Sequence, residues 1–153
     1  MNDMSPYELL QERIKVFDPW RMLVACTLLN QTGWQQVEKV IWKLFDDYPT
    51  PDDLSAAGPE LEQLIRPLGF YNRRAKSLRN MSNAYRLGMW VDPIELPGVG
   101  RYARDSWALF VENDSSVRPK DHKLAAYAEW LREGHVNHAY LKYRRFQAQE
   151  KVE

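Results

Sequence analysis

The segment Leu96-Pro97-Gly98-Val99-Gly100-Arg101-Tyr102-Ala103 limits the possible fold more than any other. A proline and two glycines stand directly ahead of a helical run, so the chain must turn tightly and re-enter a helix within a few residues. Glycines at 98 and 100 permit backbone angles with φ > 0 and put no side chain between the main chain and a ligand. The amides of such a turn, and those of the helix N-terminus after it, point outward, where the helix dipole favours an anion. A nucleic-acid phosphate fits that nest without any base being read. A monovalent cation bridging the turn's carbonyls and the phosphate is compatible with the same geometry. A tight interhelical turn with no ligand has the same sequence.

The remaining periodicity is helical almost throughout. Asp18-Pro19 reads as an N-cap followed by proline at the first helical position, and Trp20 to Leu29 is nearly all apolar, as in a buried central helix. Gly33 begins a helix to about Tyr48, with Val37, Val40, Ile41, Leu44 and Phe45 at helical spacing, and Pro49-Thr50-Pro51 stops it. Two short helices follow around Leu54 and after Gly58-Pro59, the second ending near Arg66-Pro67. Tyr71 to Leu87 reads as a basic helix with Gly88 as its C-cap. Further helices are expected over Arg101–Val111 and Asp121–Leu131, with a weakly packed, frayed one from Asn137 to about Gln149. No alternating strand pattern and no repeat occurs. The reading is all-α, a single domain over 1–153, with a helix–hairpin–helix at about residues 92–112.

A chain of 153 residues with 44% hydrophobic content and six tryptophans can bury a sizeable core. No run approaches the ~18 apolar residues of a membrane span, and the N-terminus lacks a secretory pattern, so an intracellular protein is expected. One cysteine, Cys26, leaves no internal disulfide and no all-cysteine metal or iron–sulfur site. It sits in an apolar run, as a buried small hydrophobe does. His135 and His138 lie three apart with no supporting cysteine or carboxylate cluster, which reads as a solvated pair rather than a metal site.

The formal net charge is zero, but the charges are segregated. Arg66, Arg73, Arg74, Lys76, Arg79 and Arg86 fall within residues 66–91 with no acid among them. Asp46, Asp47, Asp52, Asp53, Glu60 and Glu62 fall within residues 46–62 with no base. A basic face can hold phosphate even when the total cancels, although a solvated helix face has the same composition. About twenty residues past the turn, Arg118-Pro119-Lys120-Asp121-His122-Lys123-Leu124 sets one carboxylate among basic residues at a helix start. As an N-cap, Asp121 needs no other explanation.

The glycine turn followed by a basic residue, with an aspartate about twenty residues on, resembles the helix–hairpin–helix DNA glycosylase superfamily. That is the fold of endonuclease III and adenine DNA glycosylase. The similarity is greatest to the branch formed by the glycosylase domains of methyl-CpG-binding mismatch glycosylases, which remove thymine or uracil opposite guanine. It is carried in order by Asp18-Pro19-Trp20-Arg21-Met22-Leu23, Leu29-Asn30-Gln31-Thr32, Pro67-Leu68-Gly69-Phe70-Tyr71, Arg74-Ala75-Lys76, Gly100-Arg101-Tyr102, Asp105-Ser106 and Asp121-His122-Lys123-Leu124. It runs from about Leu9 to Leu131.

The resemblance implies roles. Asp121 matches the catalytic aspartate: a carboxylate near C1′ can stabilise the cation that builds as a base departs, and can orient or deprotonate a water. Tyr102 stands where strand-cutting relatives carry a lysine that attacks C1′, so a monofunctional, water-using glycosylase is implied. The same tyrosine would lie against a flipped pyrimidine. Gln31 matches the side chain that enters the space left by that base, where the branch has arginine. Phe70 matches a wedge beside the orphaned guanine, where the branch has leucine, and burial beneath Pro67 and Leu68 is its structural alternative. Gln11 matches a contact to the extruded base, at a spacing to Asp18 one residue longer than the branch's. Gly98, Gly100, Arg101 and Lys123 would hold DNA backbone. The four-cysteine cluster of endonuclease III has no counterpart.

Double-stranded DNA with a mispaired or damaged base is the implied partner, met by a monomer in base-excision repair. An adenine or damaged-base glycosylase on the same scaffold, and a non-catalytic helix–hairpin–helix DNA-binding module, are the other readings.

Overall fold

The computed structural model describes residues 4–152. Among them lie α1 (Leu10–Arg13), α2 (Pro19–Leu29), α3 (Trp34–Asp47), α4 (Pro51–Ser55), α5 (Glu60–Ile65), α6 (Tyr71–Leu87), α7 (Arg101–Phe110), α8 (His122–Arg132) and α9 (His138–Val152). Short 3-10 turns occupy Arg66–Leu68 and Pro93–Glu95, and no described residue is in a strand. None of these helices is long and apolar enough to cross a membrane.

The architecture is built around α2. Asp18 Oδ1 accepts from the Arg21 amide at 2.8 Å, and Pro19 supplies the first helical position. Behind that cap Trp20, Met22, Leu23, Val24, Ala25, Cys26 and Leu28 are buried, so α3, α6 and α7 all pack against this one helix. The Trp20 indole Nε1 donates to Ser82 Oγ of α6 at 2.9 Å, which satisfies two polar groups inside the core. On α3 the buried positions Val37, Val40, Ile41, Leu44 and Phe45 follow the helical spacing read from the sequence.

The two charged segments meet across α5 and α6. Arg79 of the basic helix donates from Nε to Ala57 O and from a terminal nitrogen to Gly58 O, each at 2.8 Å, and pairs with Glu62. One basic side chain is thus consumed in holding the fold rather than displayed to solvent.

The hairpin differs from expectation in two respects. Its first limb is a single 3-10 turn, because Asp92 caps the Ile94 amide at 2.9 Å, Pro93 starts the turn, and Pro97 arrives too soon for a second one. Of the two glycines, only Gly98 uses the left-handed region, at φ +80°. Gly100 is extended, at φ −106° and ψ −166°, and a Cβ there would meet nothing within 4 Å. Its contribution is an unobstructed approach to the start of α7.

Residues 137–152 are tied down over their first turns. Asn137, only 6% exposed, accepts from Tyr127 Oη at 3.0 Å and from the Tyr140 amide at 3.2 Å, and donates to Leu109 O at 2.7 Å and Asn113 Oδ1 at 3.0 Å. Tyr143 meets Phe17 edge-on, and Lys142 Nζ donates to Ile14 O at 3.0 Å. The described side chains at 144, 145, 148 and 149 are exposed.

Leu23 lies at the centre of this packing with no exposed surface. Leu23→Ala should lower unfolding free energy by about 2–5 kcal/mol through lost burial and a residual cavity. A denaturant midpoint unchanged from the parent would contradict α2 as the packing axis.

A candidate DNA-binding and active-site cleft

A cleft of about 1070 Å³ opens where the arm leading into α1, the C-terminal end of α2 and the N-terminal ends of α3, α6, α7 and α8 converge. Gln11, Gln31, Phe70, Gly98, Gly100, Arg101, Tyr102, Asp121 and Lys123 all line it. The sequence separates these nine residues by up to 112 positions, and the packing of four helix starts around one helix end brings them together.

Asp121 is the N-cap of α8, with Oδ2 accepting from the Leu124 amide at 3.0 Å. The capping bond fixes the carboxylate at the cleft wall. Tyr102, on the first turn of α7, donates nothing to the core but accepts from Gln11 Nε2 at 3.0 Å. Burial raises its phenol well above the ordinary range, and the nearby Cys26 and Asp121 add to the rise while the Gln11 bond opposes it. At neutral pH it is a neutral hydroxyl.

Gln11 has no exposed surface, yet it lines the cleft. Its Nε2 also donates to Ser106 Oγ at 3.1 Å and approaches Cys26 Sγ at 3.9 Å. Its Oε1 is buried with no hydrogen-bond partner. An orphaned acceptor of this kind is costly unless a ligand supplies the donor. Burial pushes the Cys26 thiol up to about 12, so the floor of the cleft carries no thiolate. Sequence reasoning placed Cys26 in the core and gave Ser106 no role. The spacing of Tyr102 and Ser106, one helical turn apart on α7, is the signal that could have grouped them.

The mouth of the cleft is formed by two exposed side chains in strained backbone. Phe70 is 63% exposed, at φ 48°, so it is not buried beneath Pro67 and Leu68. Gln31 is exposed, at φ 64°. Left-handed angles are uncommon for residues other than glycine, and for an aromatic they mark strain held in place by surrounding structure. The Arg73 guanidinium lies 4.9 Å from the centre of the Phe70 ring. Arg101 is engaged by the protein itself: it donates to Arg118 O at 2.8 Å and lies 3.5 Å from Asp105. Among the described residues no group of three or more His, Cys, Asp or Glu side chains could hold a metal ion. His135 stacks on Trp130, with ring centres 4.4 Å apart.

All-helical packing with a glycine turn at a cleft defines a helix–hairpin–helix protein, and comparison with known proteins places it further. Residues 24–150 match the model of the HhH-GPD superfamily base excision DNA repair proteins. This chain belongs to that family. It is 41% identical over 132 residues to the methyl-CpG-binding domain protein 4-like protein of Arabidopsis thaliana, covering 84% of this chain and 29% of that one. It is 30% identical over 142 residues to endonuclease III of Thermotoga maritima, covering 82% of this chain and 67% of that protein. It is 41% identical over 93 residues to the thymine-DNA glycosylase of Aeropyrum pernix, covering 56% and 42%. A solved thermostable thymine-DNA glycosylase shares the fold at TM-score 0.61 and 23% identity, over 92% of this chain and 78% of that one. A non-covalent endonuclease III–DNA complex does so at 0.55 and 22%, over 85% and 72%.

The arm that carries Gln11 is held from behind. Glu12 accepts from the Ser5 amide at 2.9 Å and from Ser5 Oγ at 2.6 Å, and is only 6% exposed. Burial raises its carboxyl above the ordinary value, while the Ser5 bonds, Lys142 and His138 pull the other way. A raised folded-state value means that stability from this group is present at low pH and lost as pH rises through that value. Glu12→Gln removes the titration. From pH 7 down toward 4.5, the ordinary value for the group, the parent should therefore gain thermal stability relative to the variant. Parallel melting-temperature profiles would refute the buried carboxyl.

Proposed function

We propose that this chain is a monofunctional DNA glycosylase that hydrolyses the N-glycosidic bond of a flipped thymine or uracil opposite guanine. The observation that carries the reading is the shared cleft of Asp121, Tyr102 and Gln11, with Gln31 and Phe70 at its mouth and the glycine turn at its edge.

A base within a duplex must leave the stack before its C1′ can be reached, at a cost of a few kcal/mol that a mispair reduces. In this reading Gln31 fills the vacated space and Phe70 wedges beside the unpaired guanine. The turn at Gly98 and Gly100, with the first amides of α7 and the side chains of Arg101 and Lys123, holds backbone phosphate. The base enters the cleft against Tyr102. Thymine and uracil both carry a donor at N3, which suits the unpartnered Gln11 Oε1, whereas cytosine presents an acceptor there.

Bond cleavage then needs little from the protein beyond charge and position. As the C1′–N1 bond breaks, its electron pair leaves with the base and positive charge develops on the sugar. The Asp121 carboxylate stabilises that charge and accepts a proton from the water that adds to C1′. The proton released by that water returns through Asp121 and solvent to the departed base anion, so the products are the free base and an abasic site. Tyr102 has no amine with which to form an imine at C1′, so strand scission does not follow from this residue.

The Aeropyrum relative, a thymine-DNA glycosylase, supports the pyrimidine reading over an adenine-directed one.

Duplexes carrying G·T, G·U and A·G pairs, analysed with and without alkali, test the assignment. Breaks at the mispaired pyrimidine that require alkali are expected, with no borohydride-trapped adduct in good yield. Cleavage at A·G alone, or breaks without alkali, would overturn it. Asp121→Asn keeps a good N-cap and removes only the charge. It should lower excision on the order of 10²–10⁴-fold with duplex binding largely retained. Near-parental excision would defeat the catalytic role.

A further inference from the structure

We propose that Arg74 is a positioning residue that locks Gln31 and Phe70 into one rigid two-pronged wedge. The inference rests on the reading above of these two side chains as the groups that enter the duplex.

Gln31 and Phe70 come from different loops, one after α2 and one before α6. Both are exposed, both line the cleft, and both sit in the left-handed region. Neither conformation is one that its own residue type favours. Something must hold each: the Arg74 main chain bonds Phe70, and the Arg74 side chain bonds the two residues that flank Gln31. Its amide donates to Phe70 O at 2.9 Å, closing the first turn of α6. Its guanidinium donates to Leu28 O at 3.2 Å, to Asn30 O at 2.7 Å and to Thr32 Oγ1 at 2.6 Å. Asn30 and Thr32 are the residues on either side of Gln31.

The chemistry suits a bracket. Arg74 is only 8% exposed. A buried cation needs its donors satisfied, and here the acceptors are carbonyls at the open end of α2 together with a hydroxyl. Those carbonyls carry the negative end of the helix dipole and lack intrahelical donors, which offsets part of what burial and the neighbouring Arg73 charge cost the cation. The planar fork reaches three acceptors at fixed angles, which a lysine ammonium on a flexible stem does not reproduce. Arg73 completes the arrangement by covering one face of the Phe70 ring. The first turn of α6 therefore fixes one prong directly and the other through the Arg74 side chain. Both are ordered before DNA arrives, so insertion loses little further conformational freedom.

The test separates this role from a general loss of structure. In an Asp121→Asn background, which is made so that the base is retained, a 2-aminopurine beside a G·T pair reports base extrusion. Arg74→Lys should lower the extrusion signal about tenfold, the scale of one lost charge-assisted hydrogen bond. Thr32→Val deletes a single acceptor with little change of shape and should produce a smaller loss in the same direction. Affinity for a fully paired duplex, where no wedge is needed, should stay within about threefold because phosphate contacts carry it. An unchanged extrusion signal in folded Arg74→Lys protein would overturn the proposal. So would an equal fall in extrusion and in paired-duplex affinity, or an Arg74 protein that extrudes nothing. Excision is scored separately in the Asp121 protein. Extrusion that depends on Arg74 without any base release would sink the glycosylase reading while supporting the bracket.

Discussion

The burial of α2 is the constraint from which the rest follows. A helix apolar on nearly every side cannot be left at a surface, so α3, α6 and α7 must surround it. Its C-terminal end then emerges among the starts of neighbouring helices. Those starts bring exposed amides, caps and tight turns to one place, which is why a cleft forms there rather than elsewhere. Asp121 reaches its wall as a helix cap, Tyr102 as a first-turn residue and Phe70 as the residue before a helix. The site is a consequence of where helices begin.

Electrostatics divides between work inside the fold and work at the cleft. The net charge of zero hides a basic helix whose members have different duties. Arg79 is spent on Ala57, Gly58 and Glu62, and Arg74 on the end of α2. Arg73 remains at the cleft beside Phe70. Counting basic residues therefore overstates the surface available to phosphate. The polar groups deepest in the cleft are neutral, because burial keeps both the Tyr102 hydroxyl and the Cys26 thiol protonated.

Much of this was legible in the chain. Tyr71–Leu87 has the bounds that its basic, amphipathic spacing and the Gly88 stop predict, and Asp18-Pro19 opens α2 as read. Beyond the glycine turn and the capping Asp121, the cleft residues were legible only through resemblance, since no spacing rule joins Gln11 to Asp121. The four-residue α1 was missed because so short a helix completes no apolar period. The first limb of the hairpin was overread, as prolines at 93 and 97 leave room for one turn only. Residues 137–149 looked loosely held because their anchor is polar: Asn137 bonds to four groups at 2.7–3.2 Å, and hydrophobic periodicity has no means of registering that. Arg74 was visible as one basic residue among six, and nothing local distinguishes a buried bracket from a solvated charge.

The contact between Lys142 and Ile14 joins the last helix to the strap that bears the floor of the pocket. The last helix is therefore a back-stop for the segment that carries Gln11, although none of its described side chains borders the cleft. Trimming α9, or hanging a bulky fusion on it, would slacken the seat of Gln11.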